Sequence, residues 1–404
     1  MILKMAFRNV FRQKRRSLFT ILSMFGGFVM AAFFIGFADG SYNNIIDAFT
    51  RARLGHIQIH HREYLENPSL YRSIENPGVL GAVLDNTAGV THWTPRVFSA
   101  CLVAAEKKSV GAQIVGIDPE KENNATGFNK KIIEGRTFSS PDAKEAVLGK
   151  GLAHLLQVTV DQDVVVVTQG ADGSIANERY RVSGIMDSGN EISDRTTFYL
   201  PINEARDLLV LGKRVHEVAI VVNRLKDVDA ITDSLRQRLD DPLLQVAPWQ
   251  EFARAFYKAM KADQEGMWIM LVIIVLVVSV GILNTVLMSV LERQREYGML
   301  RAVGTRPGQI IRLVLTEVII LALFCIVAGS IVSLLINHLL SINGMKLMEG
   351  FSYGGMTFET FKTEVNLRSF TIPAITVLIS AAFVSFFPAL KAARTNPARS
   401  MRIH

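Results

Sequence analysis

ERQREYGMLRAVGTRPGQI, residues 292–310, packs four arginines and two glutamates into nineteen positions between two strongly apolar stretches. Residues 267–291 hold no charged side chain, and residues 313–336 hold one, Glu317, read as reaching back to the interface. As a helix, 267–291 spans roughly 37 Å, longer than the ~30 Å hydrocarbon core of a bilayer. Runs 17–38 and 370–390 are also long enough to cross. With 404 residues, 49% of them hydrophobic, and a mean hydropathy of +0.26, the chain reads as an α-helical membrane protein with four transmembrane helices.

Charge orients the spans. Residues 1–16 hold six Lys/Arg and no acid, 292–312 five against two, and 391–404 four against none. Residues 39–266 hold 26 basic and 31 acidic side chains, and 337–369 hold three of each. This positive-inside pattern predicts cytoplasmic termini, a cytoplasmic 292–312, and extracytoplasmic 39–266 and 337–369. The net charge of +7 is then a topology signal, and nucleic acid is excluded as a partner because the cations do not share one folded surface. The run 17–38 exceeds the ~7–15 residues of a cleaved leader's apolar region and is read as the first span. Ahead of it, 1–16 reads as an amphipathic helix in the lipid interface, with Ile2, Leu3, Phe7, Val10 and Phe11 on one face and Lys4, Arg8 and Arg12 largely opposite. Cys101 and Cys325 fall in different compartments and form no disulfide.

The outer segment 39–266 is large enough to bury its own core. Near each of its ends a strand, a helix and a strand follow in order: 55–60, a helix from Pro77 and 90–97, then 215–222, a helix from Asp227 and 243–246. The domain is therefore expected to be α+β, a split βαβ subdomain interrupted by a β-rich insertion over about 99–212. Residues 40–53 and 250–264 have helical spacing and are expected to form stalks continuous with spans one and two.

No motif for catalysis appears. His56, His60 and His61 cluster, but a metal site would want a further ligand and supporting partners, so they are read as ordinary strand histidines. There is no G-x-S-x-G, H-E-x-x-H, C-x-x-C or P-loop, so the chain is expected to be non-catalytic and to bind no cofactor or metal directly.

ILNTVLMSVLERQREYGMLRAVGTRPGQI (282–310) resembles the signature of the FtsX/MacB/LolC-LolE class of ABC-transporter permeases, whose second span ends in Glu-Arg-x-Arg-Glu followed by Gly-x-Leu-Arg-Ala-x-Gly. Those positions here are Glu292, Arg293, Arg295, Glu296, Gly298, Leu300, Arg301, Ala302 and Gly304. FPALKAARTNPARSMR (387–402) resembles the class ending. The resemblance implies pairing with a second permease subunit and with two copies of a cytoplasmic ATPase, which would bind ATP and Mg in a separate chain. Motion would pass through a coupling helix to the outer domain in the bacterial inner membrane, the mode of action called mechanotransmission. GHIQIHHREY (55–64) and the following PRV (95–97), VGIDPE (115–120) and YLPINEA (199–205) segments look most like the LolC/LolE branch, which implies lipoprotein substrates and a periplasmic carrier. A MacB-like efflux permease and an FtsX-like signal to a cell-wall hydrolase stay open as alternatives.

On a helical wheel Met299, Leu300, Ala302 and Val303 form an apolar arc, with Arg301 and Gln294 on the other side. Glu292, Arg295 and Glu296 would spoil that arc on a straight helix, so a break is expected near Gly298. Met299, Leu300 and Val303 are then expected to enter a groove on the ATPase, with Arg301 pairing at its rim.

Overall fold

The computed structural model describes residues 5–8, 14–106, 108–353 and 356–395. Of the expected interfacial helix, 1–4 and 9–13 lie outside these residues, as do 396–404 of the tail; residues 5–8 are helical. By contacts the chain divides into Asn43–Ala259 with Met348–Glu359, and Met1–Tyr42, Met260–Leu347 and Thr360–His404. Helix α1 (Lys14–Phe49) runs unbroken for 36 residues. One turn of π-helix, Thr50–Leu54, follows it and is closed by Gly55 at φ +79°, whose N–H donates to the Thr50 carbonyl. A side chain at Gly55 would also crowd the Ile220 backbone, so glycine is required there twice over.

In the outer domain β1 (Ile57–His61), α2 (Pro77–Asp85) and β2 (Val90–Ala105) form one βαβ unit. The second is β9 (Glu217–Val222), α7 (Val228–Arg238) and β10 (Leu244–Pro248). The strands lie in the order β10-β1-β9-β2, every neighbouring pair antiparallel. Strands β1 and β2 are therefore parallel with β9 between them, and β9 and β10 are parallel with β1 between them. Two βαβ units thus interleave across about 110 residues of intervening chain. Pro77 at the first turn of α2 sacrifices no hydrogen bond, and Leu80, Leu84, Ile231 and Leu235 bury the helix faces.

Strand β2 is 16 residues long, and its length joins the two halves. Val90–Arg96 pairs with β9, whereas Arg96–Ala105 pairs with β3 (Lys108–Ile117). The expected boundary at 99 falls inside this strand, so the insertion shares one ten-stranded sheet with the split unit. From β3 the pairing continues through β8 (Thr197–Pro201), β5 (Glu145–Gly149), β7 (Ile175–Met186) and β6 (Asp163–Gln169), and β6 pairs back onto β2. Six strands close into a ring, with β4 (Ile132–Gly135) flanking β7. The insertion also holds helices α3 (Pro119–Thr126), α4 (Lys150–Leu156), α5 (Glu191–Asp194) and α6 (Ile202–Leu208), which the mostly-β reading lacked. Each has eight residues or fewer, too short to establish a 3.6-residue period. One had a local signature: the Asp118 side chain accepts from the Glu120 and Lys121 N–H groups, Pro119 follows, and Gly127 ends the helix at φ +67°.

The remaining elements are α8 (Trp249–Phe252), α9 (Arg254–Glu292), α10 (Gln294–Ala302), α11 (Pro307–Asn343), a hairpin of β11 (Met345–Tyr353) and β12 (Met356–Phe361), and α12 (Arg368–Ala393). Helices α1, α9, α11 and α12 are long and apolar enough to cross a membrane. Met24, Phe28 and Ala32 of α1 pack with Ile282 and Val286 of α9, Val318 and Ala322 of α11, and Val377 and Ala381 of α12. Gly27 lets α9 approach so closely that an added Cβ would collide with the Val278 side chain, the small-residue packing that lipid-facing bundles depend on.

Two expectations change. The stretch 250–264 is broken at Ala253 (φ −102°, ψ +44°), because the bend lets Trp249 fold edge-on against Phe256 and Tyr257. Phe256 in turn stacks on Phe49 with centroids 3.8 Å apart. The stretch 337–369, read as a loop, contains the last turns of α11 and the β11–β12 hairpin.

Candidate functional site

The break in the polar segment lies at Arg293 (φ −93°, ψ +13°) and not near Gly298, which sits buried inside α10. The side chain of Arg293 explains its position. Its Nε donates to Glu296 Oε2 at 2.8 Å and its Nη1 to Glu317 Oε2 at 2.7 Å, while the guanidinium lies 5.1 Å from the Tyr297 ring centre. Arg293 is 7% exposed, Glu317 13% and Glu296 38%. Burial opposes the charge on Arg293, but Tyr297, Glu317 and Glu296 together hold its pKa above the ordinary arginine value. Glu317, read as reaching for the interface, is instead held in this pair.

The bend turns Tyr297 and Gly298 into the bundle, where Tyr297 packs in one apolar cluster with Ile310, Val314, Ala389 and Ala392. Leu300 packs against the same cluster. The expected apolar arc is therefore divided: Leu300 faces inward, while Met299 (53% exposed) and Val303 (88%) stand outward one helical turn apart. Glu292, Arg295, Ala302 and Gly304 are exposed, and Arg301 is half-buried. Gly304 at φ +99° ends the segment, with its N–H on the Arg301 carbonyl and that of Thr305 on Leu300. Pro307 then starts α11, and the Gln309 side chain accepts from the Arg306 N–H. The sequence reading missed Tyr297 and Glu317 as anchors. An acidic group inside an apolar run was the available signal for Glu317.

The outer domain holds a second buried arginine cluster. Arg96 donates to Glu122 through Nε and Nη2 (3.0 and 2.7 Å) and to Glu217 through Nη1 (2.9 Å), and Thr94 and Thr126 complete the Glu122 carboxylate. Arg96, Glu122, Thr126 and Glu217 line a cavity of about 70 Å³ together with Arg53, Lys131 and Tyr199. Burial pushes Glu217 up to about 7, since Arg96 spends two of its three hydrogen bonds on Glu122. Burial also brings Lys131 down to about 8. The histidines are engaged separately. His56 Nδ1 accepts from the Val222 N–H, which leaves its Nε2 to donate to Asp47 at 3.2 Å. His60 contacts Gln58 and stacks on Tyr64, and burial lowers its pKa to about 4.

Four membrane-crossing helices, a split α+β outer domain and a short helix bent between spans two and three define an ABC-transporter permease of the MacB/FtsX type. The sequence matches the MacB-like periplasmic core domain over residues 17–238 and the FtsX-like permease C-terminal region over 268–397, and the chain belongs to this family. It is similar to the lipoprotein-releasing system transmembrane protein LolC of Neisseria meningitidis, 22% identical over 79% of each chain. An ABC transporter permease of Methanocaldococcus jannaschii is 23% identical over 99% of this chain and 97% of its own. The macrolide export ATP-binding/permease protein MacB of Campylobacter jejuni is 22% identical over 98% of this chain and 60% of its own. Among solved structures, the periplasmic region of MacB from Actinobacillus actinomycetemcomitans aligns with 49% of this chain and 91% of its own, at 14% identity and a TM-score of 0.36. The Campylobacter jejuni relative carries ATP-binding and permease parts together by its name.

Proposed function

We propose that the outward face of α10, Met299 and Val303 with Ala302 between them and Arg301 at the rim, docks a cytoplasmic ATPase. The ATPase is a separate chain, present in two copies, and supplies ATP and Mg; a second permease subunit completes the transporter. Both termini and the segment 292–312 face the cytoplasm, and 39–266 lies outside. The observation that carries this reading is an exposed apolar pair on a helix whose opposite face is buried in the bundle. Isolated apolar side chains on a basic segment gain nothing from water, whereas a partner's groove would cover them.

For the cargo we infer lipoproteins, expelled from the inner membrane towards a periplasmic carrier. LolC relatives support this by matching over similar lengths, 79% of each chain, while MacB is matched over 60% of its own length. Extracting a lipid anchor costs ~0.8 kcal/mol for each buried CH₂, so release requires an energy source such as ATP. Depletion of the chain should leave lipoproteins in the inner membrane. Normal lipoprotein sorting with loss of macrolide resistance would favour efflux instead.

A further inference from the structure

The bend at Arg293 raises a mechanical question. Because the helix of α9 stops at Glu292, α10 is not a rigid extension of the second span. At its other end α10 closes on Gly304 at φ +99° and an exposed turn. Its position relative to the spans therefore depends on side chains. Tyr297 and Leu300 supply apolar packing, which favours burial but tolerates sliding. The directional tie among the described residues is Arg293 to Glu317, a short charge-assisted bond between two groups that are both largely buried. It reaches ten residues into α11, well past the turn that joins the two helices.

We propose that Arg293 and Glu317 form a latch that makes α10 ride with the third span, so that a push on Met299 and Val303 is delivered to α11 and is not lost at the bend. The proposal rests on the reading of α10 as the ATPase-docking helix, but the latch itself is a property of this chain alone. Arg293 is here a positioning residue. Buried ion pairs stabilise little overall, since desolvation offsets most of their attraction, but they fix one register against alternatives. Glu296 is the dispensable partner: it lies on the same helix as the bend, is more exposed, and ties α10 to nothing else.

The test uses the full chain in lipid nanodiscs, with Cys101 and Cys325 replaced and nitroxide labels at the exposed positions Val303 and Leu323. Pulsed electron resonance then reads the distance between α10 and α11. The unaltered latch should give a narrow distribution. Glu317→Gln, which keeps the size and loses the charge, should at least double its width or shift its mean by more than about 2 Å, the scale of helix displacements in switching proteins. The thermal midpoint should hardly move, because Glu296 still meets Arg293. The exchanged pair Arg293→Glu with Glu317→Arg should restore the narrow distribution, which a loss of packing alone would not do. An unchanged distribution in Glu317→Gln overturns the latch, as does a broadening accompanied by bundle unfolding. Since no ATPase is present, either result is separate from whether α10 docks one.

Discussion

Among the described residues two buried arginines, Arg96 and Arg293, are each held between two glutamates, and their surroundings assign them different work. Arg96 lies with Glu122 and Glu217 inside a single folded domain, each with a side chain less than a tenth exposed. Its partners come from β9 and α3, so the cluster fastens the split βαβ unit to the ring of strands where β2 passes from one to the other. Arg293 has one largely buried partner on a neighbouring span and one half-exposed partner on its own helix. The first cluster is sealed; the second sits at a bend beside an exposed face. The same chemistry serves cohesion in one place and alignment in the other.

The largest expected effect breaks the sealed cluster. Arg96→Leu leaves two buried carboxylates without the guanidinium that hydrogen-bonds both and should destabilise the outer domain by about 3–5 kcal/mol, measured as a lowered unfolding midpoint. A midpoint within experimental error of the wild type would mean that water reaches the cluster freely, and the contrast with Arg293 would disappear.

A somewhat smaller effect is pH-dependent. Glu217 titrates near 7 in the fold against 4.5 when unfolded, so its contribution to stability is full below 4.5 and is lost as pH rises through about 7. The difference amounts to about 3 kcal/mol at most. Glu217→Gln should remove this slope, and the wild type minus variant difference isolates it from His60, whose low pKa acts in the opposite direction on acidification. Parallel stability–pH curves for the two proteins would contradict the assignment. The smallest effect is at the exposed partner: Glu296→Gln should cost under about 1 kcal/mol, because solvent screens that pair. A cost equal to that of Arg96→Leu would make the two clusters equivalent.

What the sequence disclosed follows from which constraints act locally. The bilayer fixes helix length, so the spans could be read directly from 267–291 and 313–336. Alternation and caps likewise exposed the two βαβ units at the ends of the outer domain. The closure of six strands could not be read, because β6 meets β2 across about 60 residues and pairing at such a distance leaves no local trace. The same limit misplaced the bend. A helical wheel of 292–303 treats Glu296 and Arg293 as solvated charges, whereas Arg293 is tied to Glu317, 24 residues further on. Once that tie is known, Tyr297 must turn inward and Leu300 follows it, which leaves Met299 and Val303 outside. Leu300→Asp would therefore disturb the bundle as well as any docking, and it cannot separate the two.

The central claim is that α10 presents Met299 and Val303 to an ATPase, and Val303→Asp tests it most directly. Val303 is 88% exposed, so the change should leave insertion and the folding of the bundle intact. A carboxylate forced into an apolar groove without a partner costs several kcal/mol, so the ATPase recovered with the purified permease should fall by more than about tenfold. Recovery of the ATPase with Val303→Asp at the wild-type ratio, with ATP-driven transport intact, would show that this face docks nothing and that residues 292–310 only fix the topology of the spans.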